Sequence, residues 1–405
     1  MIQGTKAEAA ESTGAPQQAL DRAAFIRARW SVSVLFFANG FAMGSWAPHI
    51  PLIKDKLALS EATLGGILFC MASGALLAMA LSGWLCGRFG SRAVTIASGI
   101  ALSVCILGPA SAPIISLLVI GAILFGLSMG LMDVAMNAQA ITVETGLDRP
   151  VFSSFHGFWS LGGLCGAGLA GLAFAAGVAP FTHIAAAGLA ILVPTLWVRT
   201  YLLPDPPSDK PIGPRIVLPR GLILAIAMFA FLAMILEGAV LDWGAVFFTT
   251  NLGAGPDQAA FGYAVFAAAA AFGRFVGDGV VTRLGRTVVL RYSALLATIG
   301  MSMIAFAPGT TVAFAGCVIG GLGVANLVPL LFSAGGRAPG YSPADGVAAV
   351  AMLGYFGFLV GPVFIGLVAD VTSLRVSFAI LAAAMIVLPL TVGRVMASLD
   401  DGKVD

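Results

Sequence analysis

Long runs of Ala, Leu, Val, Ile, Phe and Gly fill this chain, each broken only by a short cluster of charges, prolines or polar residues. Roughly 20 apolar residues cross a bilayer as a helix. Twelve runs approach or exceed that length, at about 30–52, 61–86, 93–110, 113–138, 151–176, 180–199, 221–250, 257–282, 289–307, 311–334, 344–369 and 374–397. A transmembrane barrel would show segments of about ten residues alternating apolar and polar, and the continuous runs exclude it. Of the 405 residues, 59% are hydrophobic and 10% charged, against about a quarter charged in a soluble domain. The chain cannot clothe a water-facing surface. It reads as an all-α membrane protein of twelve transmembrane helices, which disfavours a soluble enzyme, a nucleic-acid binder and a secreted disulfide scaffold. Cys70, Cys86, Cys105, Cys165 and Cys317 lie scattered in apolar stretches and read as small hydrophobes, not as disulfides or metal ligands.

The placement of Lys and Arg predicts orientation. Of the 21, Lys54, Lys56 and Arg375 fall on one side of the membrane, Arg274 lies within a span, and the other 17 fall on the side of the N-terminus. The positive-inside rule then puts both termini in the cytoplasm of a multi-pass protein of the inner (plasma) membrane. Residues 1–29 lack the apolar core of a signal peptide, so the first span is expected to stay uncleaved. The polar, Pro-rich stretch 201–220 divides the spans six and six. The expected organisation is a cytoplasmic tail (1–29), a six-helix bundle (30–200), a cytoplasmic linker (201–220), a second six-helix bundle (221–397) and a short cytoplasmic tail (398–405).

The two halves echo each other. Arg88-Phe89-Gly90-Ser91-Arg92 follows span two, and Arg283-Leu284-Gly285-Arg286 follows span eight at an offset of 195. Asp133 precedes Asn326 by 193 residues, and Gly163 and Gly168 precede Gly361 and Gly366 by 198. Parallel repeats related by an axis along the membrane normal suit an alternating-access transporter. Gly361-Pro362 in span eleven predicts a kink or break there.

Twelve spans, a central linker and basic loops after spans two and eight resemble the major facilitator superfamily. Its loop signature, Gly-x-Leu-Ala-Asp-Arg-x-Gly-Arg-Arg, is matched here by Gly83, Leu85, Arg88, Gly90 and Arg92, whereas Gly87 stands where the family has an acid and Ser91 replaces its first basic residue. The resemblance implies a gate-latching charge relay through Arg88 and Arg92. The missing acid departs from it, and Arg274 with Asp278, four residues on in span eight, is the expected substitute latch. Asp133-Val134-Ala135-Met136-Asn137, His156-Gly157-Phe158-Trp159-Ser160, Glu237-Gly238, Asp242-Trp243 and Gly273-Arg274-Phe275 resemble the branch of YbjJ-like and rhizobial MosC-like proteins, distantly like fucose permease. That branch's association with rhizopine, an amino-inositol derivative, implies a sugar, polyol or amino-inositol-like solute.

Ionisable groups inside a span are costly and mark function by default. Asp133 and Asn137 share one helix face, and His156 begins at about the same depth; the three are expected to form a hydrogen-bonded, proton-handling cluster or a purely structural interhelical contact. Glu237 lies near the middle of span seven with no Lys or Arg expected at its depth, which makes it the first protonatable or substrate-touching acid to consider. Asp242, five residues on and about 140° around the helix, belongs to an outer gate or to a capping role. Proton coupling is thus assigned to Asp133, Glu237 and Asp242, and gating to Arg88, Arg92, Arg274 and Asp278. A solute-binding surface is expected from Asn39, Trp46, His156, Trp159, Glu237, Asn326 and Tyr355, because aromatic faces stack on ring C–H surface while amides and acids hydrogen-bond hydroxyls.

The sequence holds no phosphate loop, metal-ligand set or catalytic signature, so no cofactor, no metal and no catalytic residue are expected. The reading is a monomeric secondary active transporter of a small polar solute. Its partners are protons and the lipid bilayer, not nucleic acid. An efflux permease for a drug-like compound or metabolite, and a non-cycling sensor or channel-like protein, are the alternatives.

Overall fold

The structure is a computed structural model and describes residues 22–149, 151–204 and 218–401. Most of the expected linker and both chain ends fall outside the described residues. Helices dominate, and the described residues contain no strand.

Counting a helix with an internal break as one element, twelve follow in order. They are α1 (Arg22–Trp46, then a 3₁₀ turn Ala47–His49 and Ile50–Lys56), α2 (Glu61–Phe89), α3 (Ser91–Cys105 and Leu107–Ser111), α4 (Ile115–Leu147), α5 (Phe152–Ala175) and α6 (Pro180–Val198). The second set is α7 (Leu222–Gly238, a π turn Ala239–Trp243, Gly244–Leu252), α8 (Pro256–Leu284), α9 (Arg286–Ala305), α10 (Thr310–Val324 and Leu327–Gly335), α11 (Pro343–Val371) and α12 (Leu374–Met385 and Val387–Asp401). Eleven of the twelve are long and apolar enough to cross a membrane. The first, α1, carries Arg22, Arg27 and Arg29 at its start and Lys54, Asp55 and Lys56 at its end, with no Asp, Glu, Lys or Arg between them.

Local chemistry sets the boundaries. Ser60 caps α2 by accepting a hydrogen bond from the Thr63 backbone N–H. Pro48 and Pro51 fall where α1 tightens into a 3₁₀ turn and restarts. The 29-residue helices α2 and α8 both stop at a glycine of the repeated basic loop, Gly90 at φ 80° and Gly285 at φ 82°. Only glycine adopts that backbone without strain, so the repeat in sequence is a repeat in conformation. The break expected at Pro362 does not occur: α11 runs through it as one helix.

Packing repeats with an offset of six helices. In the first set α1 packs on α5, α2 on α4 and α3 on α6; in the second α7 packs on α11, α8 on α10 and α9 on α12. Small residues allow the closest approaches: Gly40 and Gly44 lie against the backbone of Trp159 and Gly163, and Gly162 and Gly166 lie against α1 in return. Between the sets, α5 packs along α8 and α2 along α11. The α2–α11 contact lies away from the side on which α1 begins, where Gly366 meets the Glu61 carbonyl and Gly65 meets Pro362. On that far side the 3₁₀ turn of α1 also touches α8, and the last segment of α1 touches the last segment of α7.

Candidate functional site

Four helices from the two sets meet at mid-depth. Glu237, near the middle of α7, is buried (7% exposed). From α8, Arg274 places Nη2 2.9 Å from Glu237 Oε1, an ion pair with both side chains shielded from solvent. Its Nη1 donates to Ser160 Oγ on α5. One residue earlier on α5, Trp159 Nε1 donates to Asn39 Oδ1 of α1 at 2.9 Å, and Asn39 Nδ2 donates to the Met129 carbonyl of α4 at 3.3 Å. Polar contacts therefore run from α1 through α5 to α8 and α7, across the boundary between the two helix sets.

A narrow cavity opens beside these contacts, with Trp159, Ser160, Glu237, Tyr263, Phe266 and Arg274 in its wall. The α8 positions 263, 266, 267, 270 and 274 all contribute to it. Their spacing of three and four residues puts them on one helix face.

This geometry corrects one expectation: Glu237 does have a mid-depth cation, and Arg274 supplies it. Arg274 lies far enough along α8 for its long side chain to reach sideways to α7, which a count of charges along one helix does not reveal. Asp278 lies one turn further on α8, and its side chain is outside the described residues.

The remaining candidates separate. Asn137 Nδ2 bonds Asp133 at both its carbonyl (2.8 Å) and Oδ1 (3.3 Å). The expected third member does not join them: the His156 ring packs against Phe36 and Phe152, each 5.3 Å away between centroids, with no bond to Asp133 among the described residues. The apolar neighbours that flank it on α1 and α5 hold the ring off the pair. Trp46 is buried against Phe125 and does not line the cavity. Asn326 stands at the break in α10 and donates to the Gly273 carbonyl at 3.2 Å, and Tyr355 packs edge-on against Phe332. Asp242 is buried within the π turn of α7. That looser winding invalidates the α-helical angle expected between it and Glu237; π turns of this kind recur at functional sites. Arg88 is exposed with its guanidinium over Phe89, and Arg92 is half-buried at the start of α3.

Sequence reasoning missed Tyr263, Phe266 and the role of Ser160. A signal was available: once Arg274 is placed inside a span, the residues three, four, seven, eight and eleven positions before it share its face, and Tyr263 and Phe266 are among them.

A bundle of two six-helix sets around a polar mid-depth site is the architecture of a multi-pass membrane transporter. The sequence profile of the Major Facilitator Superfamily matches residues 32–343, and the chain belongs to that family. An MFS-type transporter of Yersinia pestis is 38% identical over 360 residues, which span 88% of this chain and 92% of the relative. The membrane protein MosC of Rhizobium meliloti is 32% identical and covers 88% of each chain. Among solved structures, a mutant of the nucleoside transporter NupG aligns with a TM-score of 0.75 at 13% identity, over 91% of this chain and 99% of its own. The E. coli xylose transporter XylE, in a partially occluded inward-open conformation, aligns with a TM-score of 0.69 at 14% identity, over 92% and 98%. At such identities the likeness carries the fold alone. The Yersinia relative is named as a transporter, and this protein is a transporter rather than an enzyme.

Proposed function

We propose that the protein moves a small polar solute across the inner membrane by alternating access, coupled to protons, through the space between residues 30–200 and residues 221–397. The observation that carries this reading is the Arg274–Glu237 pair, bridged to Ser160 across the two helix sets at 2.9 Å from carboxylate to guanidinium. A buried pair of this kind is sensitive to the loss of either partner, because the other is left as a bare charge in apolar surroundings. Solute binding or protonation at the pair therefore changes the contact between the halves, which is the coupling that alternating access needs.

Trp159, Tyr263 and Phe266 offer aromatic faces beside polar groups, which suits a hydroxylated ring or chain. The space between these side chains is narrow, which fits helices drawn in around the site. With the basic residues facing the cytoplasm, the packed α2–α11 contact closes the periplasmic side. Asp133 with Asn137 is a second proton-handling candidate, and Asp242 a third.

The test is a thermal-shift screen of the purified protein with sugars, inositols, amines and carboxylic acids, followed by uptake of each stabilising solute into proteoliposomes under an imposed proton gradient. Concentrative uptake on an inside-alkaline gradient is expected. Uptake indifferent to pH and to uncouplers would oppose proton coupling, and stabilisation by lipophilic drugs alone would oppose the polar-solute reading.

A further inference from the structure

Resting on that transporter reading, the geometry points to the class of solute: we infer that Arg274 is the receptor for a carboxylate on the transported molecule, which takes the place of Glu237 while Glu237 takes the coupled proton. Arg274 and Glu237 neutralise each other at 2.9 Å in a site that excludes most solvent. A proton placed on Glu237 removes the negative partner and leaves the guanidinium bare. Ser160 accepts one of its N–H groups but carries no charge. An arginine keeps its proton under all ordinary conditions, so the site cannot respond by discharging it. A neutral sugar or polyol entering with the proton leaves that buried positive charge uncompensated. A carboxylate entering with the proton restores the neutral count, and the planar guanidinium is shaped to accept it through two parallel hydrogen bonds.

The neighbours permit this exchange. Groups that face the pair are Tyr263 on α8, within electrostatic reach of Glu237, Arg274 and Asp242; Asp242 on α7; and Ser160 and His156 on α5, the latter within reach of Arg274. Among the described residues, Arg274 is the one cation in the cavity wall, and Ser160, which accepts from Arg274, already donates its own O–H to the His156 carbonyl at 3.1 Å, so the guanidinium is the group left to hold the incoming carboxylate. Trp159 and Phe266 then cover the carbon skeleton. The expected solute is a small hydroxylated monocarboxylate carried with one proton, so each cycle moves no net charge.

The test uses the full chain in nanodiscs with lactate, gluconate and glucuronate as probes, beside their uncharged counterparts propane-1,2-diol, glucose and inositol. At least one carboxylate is expected to raise the melting temperature, with binding at least tenfold tighter at pH 5.5 than at pH 8, while the uncharged partners have no effect. Glu237→Gln mimics the protonated acid and is expected to bind that carboxylate equally at both pH values. Arg274→Gln is expected to lose binding at least tenfold, and the double variant, which leaves no bare charge, shows whether the fold survives. Failure of Glu237→Gln to bind any of the three carboxylates, or equal binding by Arg274→Gln, overturns the assignment. Proton-coupled uptake of an uncharged solute overturns it too but leaves the transporter reading standing. Carboxylate binding without uptake into vesicles does the reverse.

Discussion

The Asp370 carboxylate on α11 accepts a hydrogen bond from the backbone N–H of Ala62 at 3.3 Å, so a residue of the second helix set caps the first turn of α2 in the first. Helix caps contribute about 1 kcal/mol, and this one is made only while α2 and α11 touch. Within the same turn Glu61 pairs with Lys54 at 3.2 Å. Asp370→Ala is therefore expected to shift the closed population toward far-side opening by roughly fivefold, the equivalent of about 1 kcal/mol. The check is the labelling rate of a single cysteine at Ala267, in a background without the native cysteines, by an impermeant maleimide added from the far side. An unchanged rate would remove Asp370 from the gate.

Glycines at two contacts of similar closeness should behave differently. Gly44 abuts Gly163 inside the first set, whereas Gly366 lies 2.5 Å, measured from where a Cβ would stand, from the Glu61 carbonyl across the sets. Gly44→Val is expected to lower the yield of folded protein, since overpacking costs about 1–3 kcal/mol and backbone cannot move aside. Gly366→Val is expected to keep each half folded while raising far-side labelling. Melting curves and the Ala267 cysteine assay separate the two outcomes.

Buried Gln139 joins three segments on the side where α1 begins. Its Nε2 donates to Ser91 Oγ at 2.6 Å and to the Leu203 carbonyl at 2.9 Å, and its Oε1 accepts from the Leu203 N–H at 3.0 Å. Gln139→Ala leaves buried backbone groups unpaired, each worth about 1–3 kcal/mol. A clear drop in melting temperature is expected, without change in solute selectivity.

Asn39 orients Trp159 through the 2.9 Å bond to its indole N–H. Asn39→Ala frees the ring and leaves a polar N–H beside the cavity. Solute affinity is expected to fall about tenfold, the effect of roughly 1.4 kcal/mol, together with a drop in melting temperature, because Asn39 is buried and its loss leaves the Trp159 N–H without its partner. Equal affinity would show that Trp159 does not contact the solute.

Much of the fold is legible in the chain. The spans follow from apolar run length, and the short gaps after the runs that end at about residues 110, 176, 307 and 369 correspond to the turns at 112–114, 176–179, 306–309 and 372–373. Small-residue pairs such as Gly40/Gly44 mark close helix contacts because only a missing side chain lets backbones approach. The site is legible only in its parts. Glu237 and Arg274 both stand out as charges inside spans, but their pairing depends on the rotation of α7 against α8, which no one-dimensional pattern carries. The π turn that buries Asp242 is set by packing rather than by propensity. The position of His156 in its span gives its depth, and depth alone says nothing of which neighbours on α1 meet its ring.

The central claim is that Glu237 carries the coupled proton. Its most direct test is solute uptake into proteoliposomes with an inside-alkaline gradient, comparing the wild-type protein with Glu237→Gln and using whichever solute the thermal-shift screen identifies. Accumulation above the outside concentration is expected for the wild-type protein, and solute exchange without accumulation for Glu237→Gln. Accumulation by Glu237→Gln equal to that of the wild-type protein would contradict it.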